Sequence, residues 1–314
     1  MHKKNYQKAG TQIEASCSIS HKYSEGSCFT IEELKSIAEA YNKAHSDKIE
    51  ISDKKETMIS KLQEKLKEKC KDQTCWATLQ FLNNNEELNL AFKTKGPAGQ
   101  YDWLSTTEIN GCMETYMQKH KDFIFIGAVP IDIEDLDQFG VNKLNYNKVI
   151  NSGKTKIGIV FNLDKHDQAG SHWVAFFVNF DKNQIYYSDS ASNPPDLRVK
   201  KLVKKIAEVM YKRKYSNQDE KLLKLNANTY MNDSGPNAME QLFDIRYNKT
   251  KHQYGGSECG VYSMNFIIRL LNGDTFDEIH KQRITDKDIH VCRREYFIGE
   301  TNRIEGDSKY DTFC

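Results

Sequence analysis

The sequence predicts an α+β protein in which a mixed central sheet is flanked by helices and preceded by a helical arm. Three observations lead there. The first third repeats its apolar residues at helical spacing among many lysines and glutamates. A break follows at Lys95-Gly96-Pro97-Ala98-Gly99, where Gly and Pro punctuate the chain. Beyond it, short β-branched and aromatic runs mix with helical segments too irregularly for repeated βαβ units. The division that results is an arm region at 1–95 and a core domain at 96–314.

Taken in order, residues 1–26 are polar and aperiodic and read as a mobile arm. Thr30 caps a helix, with Glu33 completing a capping box and Ile31, Leu34, Ile37, Ala38 and Tyr41 on one apolar face. A second helix starts near Asp53, carrying Met58, Ile59, Leu62 and Leu66, and a short third one carries Trp76, Leu79 and Leu82. After the break, a helix is expected near 106–119, then strands at Phe123–Val129, Ile157–Leu163, Trp173–Phe180 and Gln184–Ser188. Pro194-Pro195 opens a helix at 196–214 with an apolar stripe and a lysine-rich opposite face, which reads as solvated surface. Residues 215–237 read as a surface loop, followed by a strand near Gln241–Tyr247 and a helix closed by Asn272-Gly273.

Composition narrows the function. There are 45 basic and 44 acidic residues, a net charge of +1, which provides no global basic field for nucleic acid. No apolar run reaches the ~18 residues of a membrane span, and the N-terminus lacks the apolar stretch of a secretory signal. The chain reads as intracellular, so its eight cysteines, at 17, 28, 70, 75, 112, 259, 292 and 314, are expected as free thiols. No CxxC pair exists, and neither a metal nor a cofactor is expected.

One cysteine has the setting of a nucleophile. In His252-Gln253-Tyr254-Gly255-Gly256-Ser257-Glu258-Cys259-Gly260, the sulfur stands where a loop enters a helix with apolar residues at 261, 264, 267, 268 and 271. Unpaired N–H groups and the dipole at a helix start favour negative charge there. Gly255 and Gly256 are expected to give the loop unusual dihedrals, and Gly260 to keep the turn beside the sulfur open. A buried inert cysteine packing a helix start fits this segment about equally well.

The candidate base is His172, at the head of the apolar strand Trp173-Val174-Ala175-Phe176-Phe177-Val178. If the following hairpin folds about the Phe180–Asp181 bond, His172 and Asp189 lie directly opposite on one face. The carboxylate would then hold Nδ1–H and leave Nε2 for a thiol. A tight Lys182-Asn183 turn would instead separate the pair by four residues. His166, in Asp164-Lys165-His166-Asp167, is the nearest competitor but sits in a loop, which positions a base poorly.

Four blocks in this order resemble the ubiquitin-like-protein peptidase clan of SUMO proteases and adenovirus-type proteases. They are Trp103-Leu104-Ser105-Thr106-Thr107-Glu108-Ile109-Asn110, Gly170-Ser171-His172-Trp173, Tyr187-Ser188-Asp189-Ser190, and Gln253 six residues before Cys259-Gly260. Ser192-Asn193-Pro194-Pro195 and Arg283-Ile284-Thr285-Asp286 are similar to the polyprotein-processing proteases of African swine fever virus and giant DNA viruses. The resemblance covers about 100–295. It implies a papain-like, SUMO-protease-type cysteine peptidase core with a His172–Asp189–Cys259 triad. It also implies an oxyanion hole from the Gln253 amide and the Cys259 N–H, and a substrate tunnel flanked by Trp103 and Trp173. Core packing is the plainer reading of both tryptophans. The implied partner is a polypeptide with Gly-Gly before the scissile bond, a viral polyprotein or a ubiquitin-like protein, met in host cytoplasm, at virus factories, or in the virion. An acetyltransferase using the same triad and an inactive scaffold are the rivals.

Overall fold

The computed structural model describes residues 13–82, 85–99, 101–136, 144–298 and 314. The chain divides into two compact units, residues 1–95 together with 114–119, and residues 96–113 together with 120–314.

In the first unit, helix α1 (Ile31–Ala44) begins with the Thr30/Glu33 capping box and buries Leu34, Ile37, Ala38 and Tyr41. Helix α2 (Lys55–Leu66) packs against it through a face that buries Met58, Leu62 and Leu66. The third helix is shorter than the periodicity suggests, being two 3₁₀ turns at Gln73–Thr78 and Gln80–Leu82.

Of the arm expected to be mobile, residues 1–12 lie outside the described residues; the rest is tied down. Ser18 N–H donates to the Ala91 carbonyl, the buried Lys55 ammonium donates to Ser24 Oγ and the Ser27 carbonyl, and a Cys17–Cys28 disulfide closes the segment. Two further disulfides, Cys70–Cys75 and Cys292–Cys314, correct the expectation of free thiols. The three pairs have Cα–Cα distances of 5.3, 5.5 and 5.0 Å, inside the bridging range. Redox compartment says nothing about which cysteines a fold brings within bridging distance. Cys112 and Cys259 lie outside these three disulfides, and both are buried.

The second unit takes residues 106–113 of helix α3 (Thr106–Lys119) and is built on a five-stranded sheet. Its strands are β1 (Phe123–Pro130), β2 (Lys156–Asn162), β3 (Trp173–Asn179), β4 (Gln184–Ser188) and β5 (Asp244–Tyr247), hydrogen-bonded in that order. The sheet is mixed: β1 and β2 are parallel, β3 runs antiparallel to both β2 and β4, and β4 and β5 are parallel. The expected start of β5 is corrected, because residues Ala238–Leu242 form a capped helical turn before it. Every residue of β3 is buried, as befits a central strand covered on both faces.

Helix α4 (Leu197–Lys214), capped by Asp196, lays Val199, Leu202, Val203, Ile206, Ala207 and Met210 into one core with Ile159, Phe161, Phe176, Val178 and Ile185 of the sheet. Helix α5 (Cys259–Asn272) packs on strands β2 and β3, and ends at Gly273 in the left-handed conformation that glycine tolerates best (φ 108°). Gly158 permits this approach: a Cβ there would stand 2.8 Å from the Phe123 ring and 3.3 Å from Ile267. Helices α6 (Phe276–Lys281) and α7 (Asp286–Tyr296) follow, each opened by a threonine capping box. Among the described residues, no helix is long and apolar enough to cross a membrane.

Candidate active site

Cys259 is the first residue of α5 and is 2% exposed. The residue before it, Glu258, does not cap the helix with its side chain. Its carboxylate turns back to accept from Ser257 N–H, Ser257 Oγ and His290 Nε2, and so does not serve the first amides of α5. The glycines act through space and not through dihedrals: neither Gly255 nor Gly256 takes a positive φ. A Cβ on Gly255 would stand 2.6 Å from the Glu258 carboxylate, and one on Gly260 would press on Leu104 at 3.1 Å.

His172 and Asp189 meet just beyond the last rungs of the β3–β4 hairpin. The register pairs Ala175 with Ser188 and Asn179 with Gln184, midway between the two alternatives the sequence leaves open. Asn183, with φ 53°, is what permits that turn. Asp189 is therefore not opposite His172 but offset diagonally by two residues, a Cβ gap of roughly 7–8 Å that an imidazole spans. His172 Nε2 donates to Asp189 Oδ1 at 2.6 Å. This reverses the expected ring orientation: Nε2 holds the acid, which leaves Nδ1 as the ring's other nitrogen, and Cys259 adds to the ring's affinity for its proton. Burial alone would lower the His172 pKa, but hydrogen bonds to Asp189 and Cys259 outweigh it and raise it to about 9. At neutral pH a protonated imidazole stands beside the sulfur.

Asp189 is completely buried, which opposes its ionisation. The bond from His172, the Ala191 N–H and the Asn193 side chain overcome that cost and hold its pKa below the usual carboxylate range. Oδ1 also accepts from Ala191 N–H, and Oδ2 accepts from both the N–H and the Nδ2 of Asn193. The Asp189 backbone is clamped by Asn248, whose Oδ1 accepts from its N–H while Nδ2 donates to its carbonyl. Sequence reasoning missed Asn248 and read Asn193 only as part of a motif. Polar loop residues carry no periodicity by which they could be found.

Gln253 is buried one turn of chain away. The Ser190 carbonyl accepts from both the His252 and Gln253 N–H groups, Ser190 Oγ donates to Gln253 Oε1 at 2.6 Å, and Gln253 Nε2 donates to the Gly255 carbonyl. The acid turn and the glutamine loop are thus one hydrogen-bonded unit. The two tryptophans differ: Trp103 is 48% exposed, whereas Trp173 is buried and donates Nε1–H to the Leu104 carbonyl, fixing the backbone beside Gly260. Asn110, from the same block as Trp103, accepts the Ala128 N–H at a bulge in β1. His166 pairs with the buried Asp132 carboxylate at 2.8 Å.

Behind the loop, His252 Nδ1 accepts from Ile284 N–H and its Nε2 faces His280 Nδ1 at 3.1 Å. Burial, with nearby Arg283 and Arg269, lowers the His252 pKa to about 4. Burial, then His252 and Arg269, lowers that of His280 to about 3. Both rings are neutral in the fold, so their contribution is complete above about 6.5, the unfolded value. It is lost as pH falls from there through 4. Acidification from pH 7 to 4 is expected to lower stability progressively through this pair, and His280→Phe, among Phe266 and Phe276, to flatten the loss. Thermal melts at stepped pH test this; parallel curves for both proteins would refute it.

Among known proteins, the model of the Ulp1 protease family, C-terminal catalytic domain, matches residues 138–305. A thiol protease of Acanthamoeba polyphaga mimivirus is 30% identical over 300 residues, 88% of this chain and 91% of that protein. A SUMO-1 cysteine protease of African swine fever virus is 25% identical over 236 residues, 71% of this chain and 77% of that one. The crystal structure of the African swine fever virus protease shares the fold, with a TM-score of 0.57 at 19% identity over 93% of this chain and 98% of that one. With over half of its length matched by the family and a mimivirus relative aligned nearly end to end, the chain belongs to the Ulp1 family of cysteine proteases.

Proposed function

We propose that the protein is an endopeptidase that cleaves after Gly-Gly, with Cys259 as nucleophile, His172 as its acid–base partner and Asp189 as the orienting acid. One observation supports this reading: His172 Nε2 is bonded to a fully buried carboxylate, while Cys259, at a helix start, helps raise the pKa of the same ring. Because His172 holds its proton at neutral pH, the resting pair is an imidazolium beside a sulfur ready to attack. The sulfur adds to the scissile carbonyl, the oxyanion is received by the Cys259 N–H and the Gln253 amide, and His172 gives its proton to the leaving amine. Water, deprotonated by the now neutral imidazole, then hydrolyses the thioester.

The Gly-Gly preference follows from access. A sulfur 2% exposed, beside a Gly260 already pressed on Leu104, leaves little width for the substrate backbone, and residues without Cβ suit that width best. Trp103 would then be the exposed wall of the channel, with Trp173 as its fixed support. Relatives encoded by viruses make a viral polyprotein, met in the cytoplasm or the virion, the substrate we propose first. A peptide library should show glycine at both positions before the cut, with Ala at either lowering kcat/KM by at least tenfold. Equal cleavage after Ala-Ala would remove the narrow-channel argument. Faster release of reporter groups from intact ubiquitin or SUMO than from peptides would move the target to conjugates.

A further inference from the structure

The segment Arg283-Ile284-Thr285-Asp286 lies outside the triad, yet it grips the glutamine loop on both sides of Gln253. Before it, Arg283 Nε donates to the His252 carbonyl and Ile284 N–H donates to His252 Nδ1. After it, the Asp286 carboxylate accepts the Tyr254 N–H at 3.0 Å and the Gly255 N–H at 2.9 Å. Arg283 also stacks over the Tyr254 ring at 4.1 Å, although that ring is 65% exposed. Asp286 is itself fixed, as the first residue of α7 after its Thr285 cap and as an acceptor from Tyr262 Oη of α5. It therefore ties the loop to α7 and, through Tyr262, to the helix that begins with Cys259.

We infer that Asp286 is a positioning residue that sets the aim of the Gln253 amide in the transition state. This rests on the reading of Gln253 as an oxyanion donor. Gln253 Nε2 donates to the Gly255 carbonyl, so Gly255, whose own N–H and that of Tyr254 are held by Asp286, determines where that amide rests before substrate arrives. Without the carboxylate, two adjacent N–H groups lose their acceptor and the 254–256 turn is free to rotate. A donor displaced by about 1 Å forfeits much of its effect on a developing oxyanion, while substrate binding elsewhere is unaffected.

The test is a double-mutant cycle on a fluorogenic peptide amide ending in Gly-Gly, with iodoacetamide alkylation of Cys259 measured in parallel. Alkylation depends on the sulfur and its imidazole but uses no oxyanion hole. Gln253→Ala is expected to lower kcat about 100-fold. Asp286→Ala should lower it roughly 10- to 50-fold at unchanged KM, and the double variant should be no more than about twofold worse than Gln253→Ala alone. Asp286→Asn retains an acceptor oxygen for the two N–H groups and should recover most of the rate. Alkylation should stay within twofold of wild type throughout. Additive losses in the double variant, or alkylation slowed in step with turnover, would overturn the inference while leaving Gln253 in place. A Gln253→Ala variant of nearly full activity would remove the oxyanion reading and this inference with it.

Discussion

Cys259→Ala is expected to lower turnover of a Gly-Gly peptide by about 10⁶-fold, the scale seen when a covalent nucleophile is removed. Cys259 is buried at the start of α5 and adds to the proton affinity of the His172 ring, so its sulfur is the nucleophile this site presents. Ala fits the same helix position and deletes a single heavy atom, so stability should change by about 1 kcal/mol or less. A thermal melt close to wild type, combined with loss of turnover, separates chemistry from folding. Residual turnover above a thousandth of wild type would show that the bond is broken by some other group.

The second large effect concerns Asp189. In the wild-type protein, kcat/KM should fall as pH rises through about 9, where His172 loses the proton destined for the leaving amine. Asp189→Asn is expected to cost about 10³-fold and to move that alkaline limb down towards 6.5, the ordinary imidazole value. Asn is a poor substitute here for a geometric reason. Oδ2 accepts two donors from Asn193 and Oδ1 accepts from both His172 and Ala191, so an amide NH₂ in either place faces donors. Stability follows the same linkage with opposite signs. The raised His172 pKa stabilises the fold below about 6.5 and that contribution disappears above about 9. The depressed Asp189 pKa stabilises it above the usual carboxylate range and is lost in acid. An unshifted alkaline limb in the variant would show that another group sets the profile.

What the sequence made legible was what periodicity and motif spacing encode. The five strands follow from short β-branched and aromatic runs and the helices that cover them from period-3.6 apolar patterns, and Cys259, His172 and Asp189 emerged as an ordered set of chemically apt residues. The details that failed are those decided by polar contacts between distant segments. The hairpin register missed by two residues because the loop at Phe180–Asn183 offers several turns of similar cost, and Asn183 chooses among them by adopting a positive φ. The ring of His172 turned the other way because the diagonal offset puts the carboxylate at Nε2. Asn248, Ser190 and Asp286, which immobilise the site, lie 59, 63 and 32 or 31 residues from the groups they bind. No local pattern points at them. The disulfides were missed for the same reason, since spacings of 11, 5 and 22 residues say nothing about which cysteines the fold brings together.

Ser190 joins two loops that a protein engineer would want to treat separately. Through its carbonyl and hydroxyl it links the turn after β4 to the stretch entering α5, so a graft or swap of either loop alone breaks three hydrogen bonds in the interior. Retargeting this scaffold would mean moving residues 189–193 and 252–259 as one cassette, with Asn248 carried along as its hinge pin.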